Sequence, residues 1–448
     1  MALLAEIAGR LASGATTSEA LVERALANAH SGEGPRTFIK VYDAAARAAA
    51  RAADRLRSHG VTPSPLAGVP ISIKDLFDVR GEPTPAGSKV LADAAPASCD
   101  APVVARLRAA GAIIIGRTNM TEFAFSGLGI NPHYGTPCNP FDRATGRIPG
   151  GSSSGAAVSV SDEMSDAGIG SDTGGSVRIP AALCGLVGFK PTAHRVPREG
   201  VLPLSTTLDS IGPIARSVAC CALVDAIMAG DEPVVPVALP ISGLRLGVVR
   251  DYVCERLEPV VATAFERALS ILSAAGARLC EVPFSELTQI PALNGSGGFA
   301  GSEAYAWHRN LLKERGAEYD PRVAVRIAFA QGMSAADYIE LGGVRARMIA
   351  RAMLVTSPYD ALLMPTTASI APSIDALERD DDQYARANYA MLRNPTTINF
   401  LDGCALSIPC HASGDAPVGL MVAGMSNADQ RILQVGQAIE AALGVLQR

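Results

Sequence analysis

Two Gly/Ser-rich segments lie close together in the chain and combine residue types that can do chemistry. They span residues 150–155 and 170–176, and each holds a pair of adjacent glycines next to serines. Adjacent glycines let backbone N–H groups converge on a negatively charged atom, because no side chain blocks the approach. Ser176, directly after Gly174 and Gly175, is therefore a candidate nucleophile beside an oxyanion site. Taken alone, each segment is more often a turn or a linker.

A serine beside a nucleophile can pass a proton on but needs a stronger base behind it, and Lys74 is the candidate. Lysine is rare here, with five among the 39 lysines and arginines of the chain. The strand period of Ile71-Ser72-Ile73-Lys74 places Ser72 and Lys74 on one face. A desolvated lysine can lose its proton near neutral pH, whereas an arginine cannot. On these residues alone, a solvated lysine paired with Asp75 has equal weight.

A second motif competes for the role of nucleophile. Residues 151–155 fit G-x-S-x-G, in which Ser153 would act with a later histidine such as His411. That motif requires a buried strand directly before it, and residues 143–149 form a polar, Pro-containing stretch instead. The context therefore disfavours it. Lys190 also has apolar neighbours, and we interpret it as structural.

Strand and helix patterns alternate along the chain, which predicts an α/β fold with a parallel or mixed sheet covered by helices on both sides. Short apolar runs predict strands at 69–73, 112–115, 246–249, 279–282, 361–364, 405–410 and 418–422. Amphipathic periods predict helices at 44–56, 103–110, 259–275 and 429–443. The Pro/Gly/Asn-rich stretch 130–151 is a long loop of the kind that shapes a site.

We predict one domain over residues 1–448, with a Pro-rich internal linker at 231–240. Residues 284–340 are expected to be irregular and weakly helical and to cover the substrate. The candidate walls of the substrate pocket are the loop 121–138, the segment 395–399, Tyr305 and Trp307.

Composition excludes several classes of function. The chain is 48% hydrophobic with a formal net charge of −5, which disfavours tight nucleic-acid binding. It begins without a basic, apolar leader and has no run of 18 apolar residues, so we expect neither a signal peptide nor a membrane span. Nine scattered cysteines are typical of a reduced cytoplasmic protein, and six dispersed histidines predict no metal. We expect no cofactor.

Longer motifs in the same part of the chain resemble the amidase signature family, and the resemblance covers nearly the whole length. They occupy residues 65–75, 116–123, 149–155, 170–181 and 185–192. The resemblance implies a single large mixed β-sheet core covered by helices on both faces, with residues 60–200 as the catalytic core.

The resemblance also implies a Ser–cis-Ser–Lys triad. Ser176 would be the nucleophile, Ser152 the bridging serine after a cis peptide bond, and Lys74 the base. The oxyanion hole would be formed by the N–H groups of Thr173, Gly174, Gly175 and Ser176. Supporting residues would be Asn119, Ser171 and Asp172.

The implied activity is hydrolysis of the C–N bond of small or aryl amides through an acyl-enzyme, with carbamates (urethanes) or ureas as close variants. The partner would be a small-molecule substrate, and the resemblance permits a homodimer. Two alternatives stay open: a glutaminase-type subunit of a tRNA-dependent amidotransferase, and the G-x-S-x-G esterase.

Overall fold

Eleven strands form one mixed sheet in the computed structural model, which describes residues 3–444. The strands are β1 (Phe38–Val41), β2 (Pro70–Lys74), β3 (Ile113–Thr118), β4 (Ala167–Asp172), β5 (Val187–Lys190), β6 (Ser210–Ala215), β7 (Arg245–Val249), β8 (Arg278–Val282), β9 (Ala361–Pro365), β10 (Cys404–Pro409) and β11 (Gly419–Gly424). Residues 1–2 and 445–448 of the predicted domain 1–448 lie outside the described residues.

Sixteen α-helices surround the sheet in the described residues. They are α1 (Leu4–Ala12), α2 (Ser18–Ala29), α3 (Gly34–Thr37), α4 (Asp43–Ser58), α5 (Pro102–Ala109), α6 (Ser154–Ser161), α7 (Arg178–Leu183), α8 (Val218–Ala229), α9 (Pro259–Ala274), α10 (Ile290–Leu293), α11 (Gly298–Arg315), α12 (Pro321–Ala328), α13 (Ala335–Thr356), α14 (Ile374–Arg379), α15 (Asp381–Phe400) and α16 (Asp429–Leu443). None of them, within residues 3–444, is long and apolar enough to cross a membrane.

The strand order is β1-β3-β2-β4-β6-β5-β10-β11-β9-β7-β8. Strand β2 runs parallel to both of its neighbours, β3 and β4. Further along the sheet the neighbouring strands are antiparallel: β6 pairs with β5, β5 with β10, and β10 with β11. Parallel neighbours end at the same edge of a sheet, where ligands of α/β proteins commonly bind. The last residues of β2 and β4, Lys74 and Asp172, therefore lie at the same edge of the sheet.

Both faces of the sheet are covered, which confirms the predicted fold class. Ile71 and Ile73 of β2 belong to the main hydrophobic core, together with residues of α5, α8, α9 and α16. On the opposite face, the Ser72 hydroxyl is 2.8 Å from the hydroxyl of Ser159 on α6. This alternation is the strand period that the sequence predicts.

The region 284–340 differs from the sequence-based prediction. The sequence predicts an irregular region, but the structure holds α10, α11, α12 and the start of α13 there. Helices α10 and α12 are short, and α11 carries apolar residues on more than one face, so no clear helical period is visible in the sequence. Residues 231–240 contain neither helix nor strand.

Candidate active site

Lys74 is the last residue of β2 and is completely buried. Its Nζ donates to the Ser152 hydroxyl at 2.8 Å and to the Ser171 hydroxyl at 2.9 Å. Asp75, the alternative partner considered from the sequence, instead forms a buried ion pair with Arg117, with 2.6 Å between Oδ1 and Nε. The solvated-lysine interpretation is therefore excluded.

The electrostatic environment of Lys74 favours its neutral form. Burial lowers the pKa of its ammonium group to about 7, because desolvation penalises the charged state. The carboxylates of Asp209 and Asp172 act in the opposite direction and raise that pKa, but they do not offset burial. A substantial fraction of Lys74 is accordingly unprotonated at neutral pH, as a proton acceptor requires.

Ser152 lies in the tight loop before α6 and is fully buried. The peptide bond between Gly151 and Ser152 is cis. Gly151 has no room for a side chain, because a Cβ there would overlap the backbone nitrogen of Gly129. The loop is thus held against residues 127–129 by direct backbone packing, and the Gly151 N–H donates to the Gly127 carbonyl at 2.8 Å.

Ser176 lies in the turn that connects β4 to α7 and is 3% exposed. Its carbonyl accepts from the Ser153 N–H at 3.3 Å, which joins the two serine loops. Within the described residues, no hydrogen bond connects the Ser176 hydroxyl to Ser152. The structure therefore brings Lys74 and Ser152 into contact and places Ser176 on the adjoining loop.

The turn before Ser176 contains the four N–H groups that the family resemblance assigns to an oxyanion hole, and they differ in their hydrogen bonds. The Gly175 N–H donates to Asp172 Oδ1 at 2.8 Å, so this donor is already committed. The N–H groups of Thr173, Gly174 and Ser176 have no partner within residues 3–444. Gly175 instead shapes the turn: its φ is +125°, and an added Cβ would lie 2.6 Å from that of Pro395.

Asp172, the last residue of β4, accepts several hydrogen bonds from this turn. Besides Gly175, it accepts from the Val177 N–H at 3.1 Å and from Arg178 Nε at 3.0 Å and Nη2 at 2.9 Å. Although burial acts to raise it, the charge of Arg178 holds the pKa of Asp172 well below its usual range. Asn399 of α15 also donates to Asp172 Oδ1 at 3.0 Å.

Asn119 and Asp209 each accept a hydrogen bond from one of the two Gly/Ser-rich segments. Asn119 Nδ2 donates to the carbonyls of Arg36 and Gly135, and its own carbonyl accepts from the Gly155 N–H at 3.0 Å. Asp209 accepts a hydrogen bond from the Thr173 hydroxyl. Burial raises the pKa of Asp209 to about 6.

A cavity of about 290 Å³ opens in front of Ser176. Thr173, Gly174 and Ser176 line its catalytic end, whereas Gly175 does not. Its remaining wall is formed by Ala124, Phe125, Ser126, Leu204, Leu208, Asn294, Gly297, Ala300, Gly301, Arg326, Phe329, Leu392, Thr396 and Phe400. A neighbouring cavity of about 480 Å³ is lined by Ser171 and Asp209 but not by Ser176. Of these two cavities, the smaller one contains the candidate nucleophile.

Several sequence candidates lie elsewhere. The Ser153 hydroxyl donates to the Ser171 carbonyl at 3.4 Å, while His411 Nδ1 accepts from the Val418 N–H at 3.4 Å. Lys190 Nζ donates to the carbonyls of Pro191 and Gly403, consistent with its structural interpretation.

Two predicted walls of the substrate pocket are not among the residues that line this cavity. They are Tyr305 and Trp307, and Trp307 instead packs against Phe123 and His308.

Sequence reasoning gave no role to Arg178 and Asp209, which contact the second Gly/Ser segment. Arg178 follows that segment directly, and its position there was the available signal. Asp209 lies outside the motifs, and no local pattern distinguishes it from an ordinary surface residue. Arg326 and Asn399 fall within the predicted regions 284–340 and 395–399, but no pattern singles them out there.

Comparisons with known proteins, by family model, by sequence and by structure, all relate this chain to the same family. A model of the Amidase family matches residues 20–433. The 2-amino-5-chloromuconic acid deaminase of Comamonas testosteroni is 36% identical over 98% of this chain and 96% of its own length. One subunit of the glutamyl-tRNA(Gln) amidotransferase of Chloroflexus aggregans is 36% identical over 96% of this chain and 94% of its own length. A crystal structure of an amidase superposes with a TM-score of 0.89 at 32% identity, covering 98% of this chain and 99% of that one.

Proposed function

The chain belongs to the amidase family, and from that membership we propose that it hydrolyses the C–N bond of small amides through an acyl-enzyme on Ser176. The observation that carries the proposal is the contact between the buried amine of Lys74 and the Ser152 hydroxyl, behind a loop that presents Ser176 to a cavity. Carbamates and ureas are close variants, because their acyl carbons present the same electrophile to the nucleophile.

In the proposed first step, neutral Lys74 accepts the proton of Ser152 while Ser152 takes that of Ser176. Ser176 Oγ then attacks the carbonyl carbon, and the carbonyl π electrons move onto its oxygen. Hydrogen bonds of catalytic groups often form fully only when substrate is bound, which is compatible with the lack of a direct bond between the two serine hydroxyls in the described residues.

The N–H groups of Thr173, Gly174 and Ser176 are the proposed donors to that oxyanion. Each such donor is worth about 3–4 kcal/mol of transition-state stabilisation when it is removed. As the tetrahedral species collapses, the C–N bond breaks and the amine leaves with a proton returned through Ser152. Water repeats the sequence and releases the acid.

The proposal is tested on the purified chain with a simple amide, by following ammonia release and trapping the acyl group by mass spectrometry. We expect Ser176→Ala and Lys74→Ala to be inactive and Ser152→Ala to be severely impaired. The mutation Lys190→Ala removes the other buried lysine and serves as the matched control, with circular dichroism to confirm folding. A Lys74→Ala variant with normal turnover at neutral pH would refute the relay.

The 36% identity with an amidotransferase component supports a second candidate, a glutaminase-type subunit that delivers ammonia to a partner. The two functions differ in what the isolated chain does. Turnover by the chain alone favours the first, whereas turnover that requires added partner proteins favours the second.

The geometry gives the esterase alternative little support. Its motif lacks the preceding buried strand, and Ser153 does not line the cavity. That alternative predicts that Ser153→Ala abolishes activity while Lys74→Ala does not, which is the reverse of our expectation.

A further inference from the structure

We propose that Glu303 of α11 is a positioning residue for the reaction: it holds the segment 204–209 and through that segment fixes Thr173 in the turn between β4 and α7. The inference rests on the proposed function and adds a residue to the groups that carry it out. Its basis is a continuous series of hydrogen bonds from the carboxylate of Glu303 to that turn.

The carboxylate of Glu303 binds four donors, and three of them belong to the segment 204–209. Its Oε2 accepts from the Ser205 hydroxyl and from the Thr207 N–H, the latter at 3.0 Å. Its Oε1 accepts from the hydroxyls of Thr207 and Tyr338. A carboxylate has about four acceptor positions, so those of Glu303 are all used.

The four donors are uncharged groups, and they stabilise the ionised form of Glu303. Burial acts to raise the pKa of Glu303, but the hydrogen bonds, that of Ser205 foremost, hold it below its usual range. The carboxylate is therefore ionised at neutral pH. Hydrogen bonds to an ionised acceptor are about twice as strong as bonds between neutral groups, so the segment 204–209 is bound firmly to α11.

The end of the segment contacts the catalytic turn. Asp209 Oδ2 accepts from the N–H groups of Leu204 and Ser205, both at 3.0 Å. Asp209 Oδ1 accepts from the hydroxyl of Thr173, whose N–H is a proposed donor to the oxyanion. Ser205 thus binds Glu303 through its hydroxyl and Asp209 through its N–H, which makes the series continuous.

The segment 204–209 also forms part of the cavity in front of Ser176. Leu204 and Leu208 line that cavity, and Leu204 lines the neighbouring cavity as well. Leu208 belongs to the same hydrophobic cluster as Phe299 of α11 and Leu341 of α13. Helices α11 and α13 therefore hold the segment by apolar contacts as well as through Glu303.

Loss of the Glu303 carboxylate is expected to displace Thr173. An oxyanion donor acts only in the transition state, so its displacement lowers kcat and leaves KM nearly unchanged. A misplacement of about 1 Å can cost roughly 100-fold in rate. A residue that only stabilised the fold would instead reduce the amount of folded chain and leave kcat per folded chain unchanged.

The experiment measures kcat and KM with butyramide by ammonia release, normalised to the folded fraction determined by circular dichroism. In Glu303→Ala we expect kcat to fall by roughly 10- to 100-fold, with little change in KM. Glu303→Gln should recover part of this loss, because its oxygen can accept from the Thr207 N–H while its amide donates to hydroxyls. Glu314→Ala is the matched control, since it removes an exposed glutamate of the same helix, and it should keep the wild-type constants.

A double-mutant cycle tests whether Glu303 acts through Thr173. Thr173→Val removes the hydroxyl that binds Asp209 and keeps the backbone N–H. Glu303→Ala should therefore cost much less in the Thr173→Val chain than in the wild type. If Glu303→Ala does not fold, Glu303→Gln takes its place in the cycle. Equal costs in both chains, an effect confined to KM, or a wild-type kcat overturns the inference and leaves the proposed function standing.

If the wild-type chain does not hydrolyse butyramide, the proposed function fails for this amide, and hydrogen exchange decides the role of Glu303 separately. Mass spectrometry gives the deuterium uptake of peptides 170–177 and 203–209 in the wild type, Glu303→Ala and Glu314→Ala. Faster uptake in these two peptides of Glu303→Ala alone supports the series of contacts. Unchanged uptake at 170–177, or faster uptake throughout the chain, contradicts it.

Discussion

The ionisation of Lys74 illustrates how much a single residue depends on its surroundings. An exposed lysine has a pKa near 10.4 and is almost entirely protonated at pH 7. Burial lowers the pKa of Lys74 to about 7, while the carboxylates of Asp209 and Asp172 raise it. The neutral amine that the relay needs therefore results from a balance between desolvation and two nearby charges.

That balance predicts the pH dependence of the reaction. We expect kcat/KM to rise with pH through about 7 as Lys74 loses its proton. Asp209→Asn removes a negative charge that stabilises the ammonium form, so it should shift this limb toward lower pH. The measurement is a pH–rate profile between pH 5 and 9.

The exposed residue Asp375 provides the control for charge alone, because Asp375→Asn should leave the profile in place. If the limb of Asp209→Asn coincides with that of the wild type, a group other than Lys74 governs the rate. Asp209 accepts from the Thr173 hydroxyl with one oxygen and from the Leu204 and Ser205 N–H groups with the other, and asparagine keeps only one of these acceptors. Denaturant unfolding of Asp209→Asn is therefore measured beside the profile, and a shift in pH at unchanged stability is attributed to the charge.

At the scale of elements, the turn between β4 and α7 positions Ser176 and the backbone N–H groups that precede it. Its conformation depends on Gly175, whose φ of +125° is one that residues with side chains rarely adopt. Pro395 and Ile179 fill the space where a Cβ would go. The turn also depends on Asp172, which accepts from its N–H groups and from Arg178.

Gly175→Ala should therefore damage both stability and activity. We expect the free energy of unfolding to fall by about 1–3 kcal/mol, the usual cost of a strained backbone position. Activity should fall further than stability, because the displaced turn carries Ser176. Denaturant titration and kcat/KM measure the two effects.

Gly342 is the matched control, since it lies inside α13 with open space around it. Gly342→Ala should raise the free energy of unfolding by about 0.5–1 kcal/mol, because alanine is the better helix former. An unchanged Gly175→Ala enzyme would show that the turn tolerates a side chain.

At the scale of the whole molecule, the sheet divides into two parts that follow the sequence. Strands β1 to β6 are contiguous in the sheet, and so are β7 to β11; the two parts meet where β5 pairs with β10. The site lies across this seam, because Asp172 of the first part is bonded to Asn399 of the second. The cavity in front of Ser176 is likewise lined by residues of both parts.

We predict that the chain unfolds in one cooperative transition despite the connecting segment 231–240. The β5–β10 ladder and the buried contacts of Asp172 couple the two parts, so neither is complete alone. Fluorescence of Trp307, the only tryptophan, reports on the contact of α11 with Phe123 of the first part, whereas circular dichroism reports on the helices and strands of both parts. Coincident unfolding curves support the single domain, and two separated midpoints would contradict it.

The sequence by itself determined the fold class, the strand that carries Lys74 and the two loops that carry Ser152 and Ser176. These features are local: the period of β2 and the glycine pairs are visible within a few residues, and the family motifs lie between residues 65 and 192. Helices α10 to α12 were predicted only as a weakly helical region, because α10 and α12 are short and α11 carries apolar residues on more than one face.

Only the tertiary structure decided how ionisation and binding are arranged around those loops. The pKa of Lys74 depends on its burial and on the carboxylates of Asp209 and Asp172. Asn399 contacts Asp172 from 227 positions further along the chain. Desolvation and charge pairing act through space, so they follow from packing and not from the order of residues along the chain.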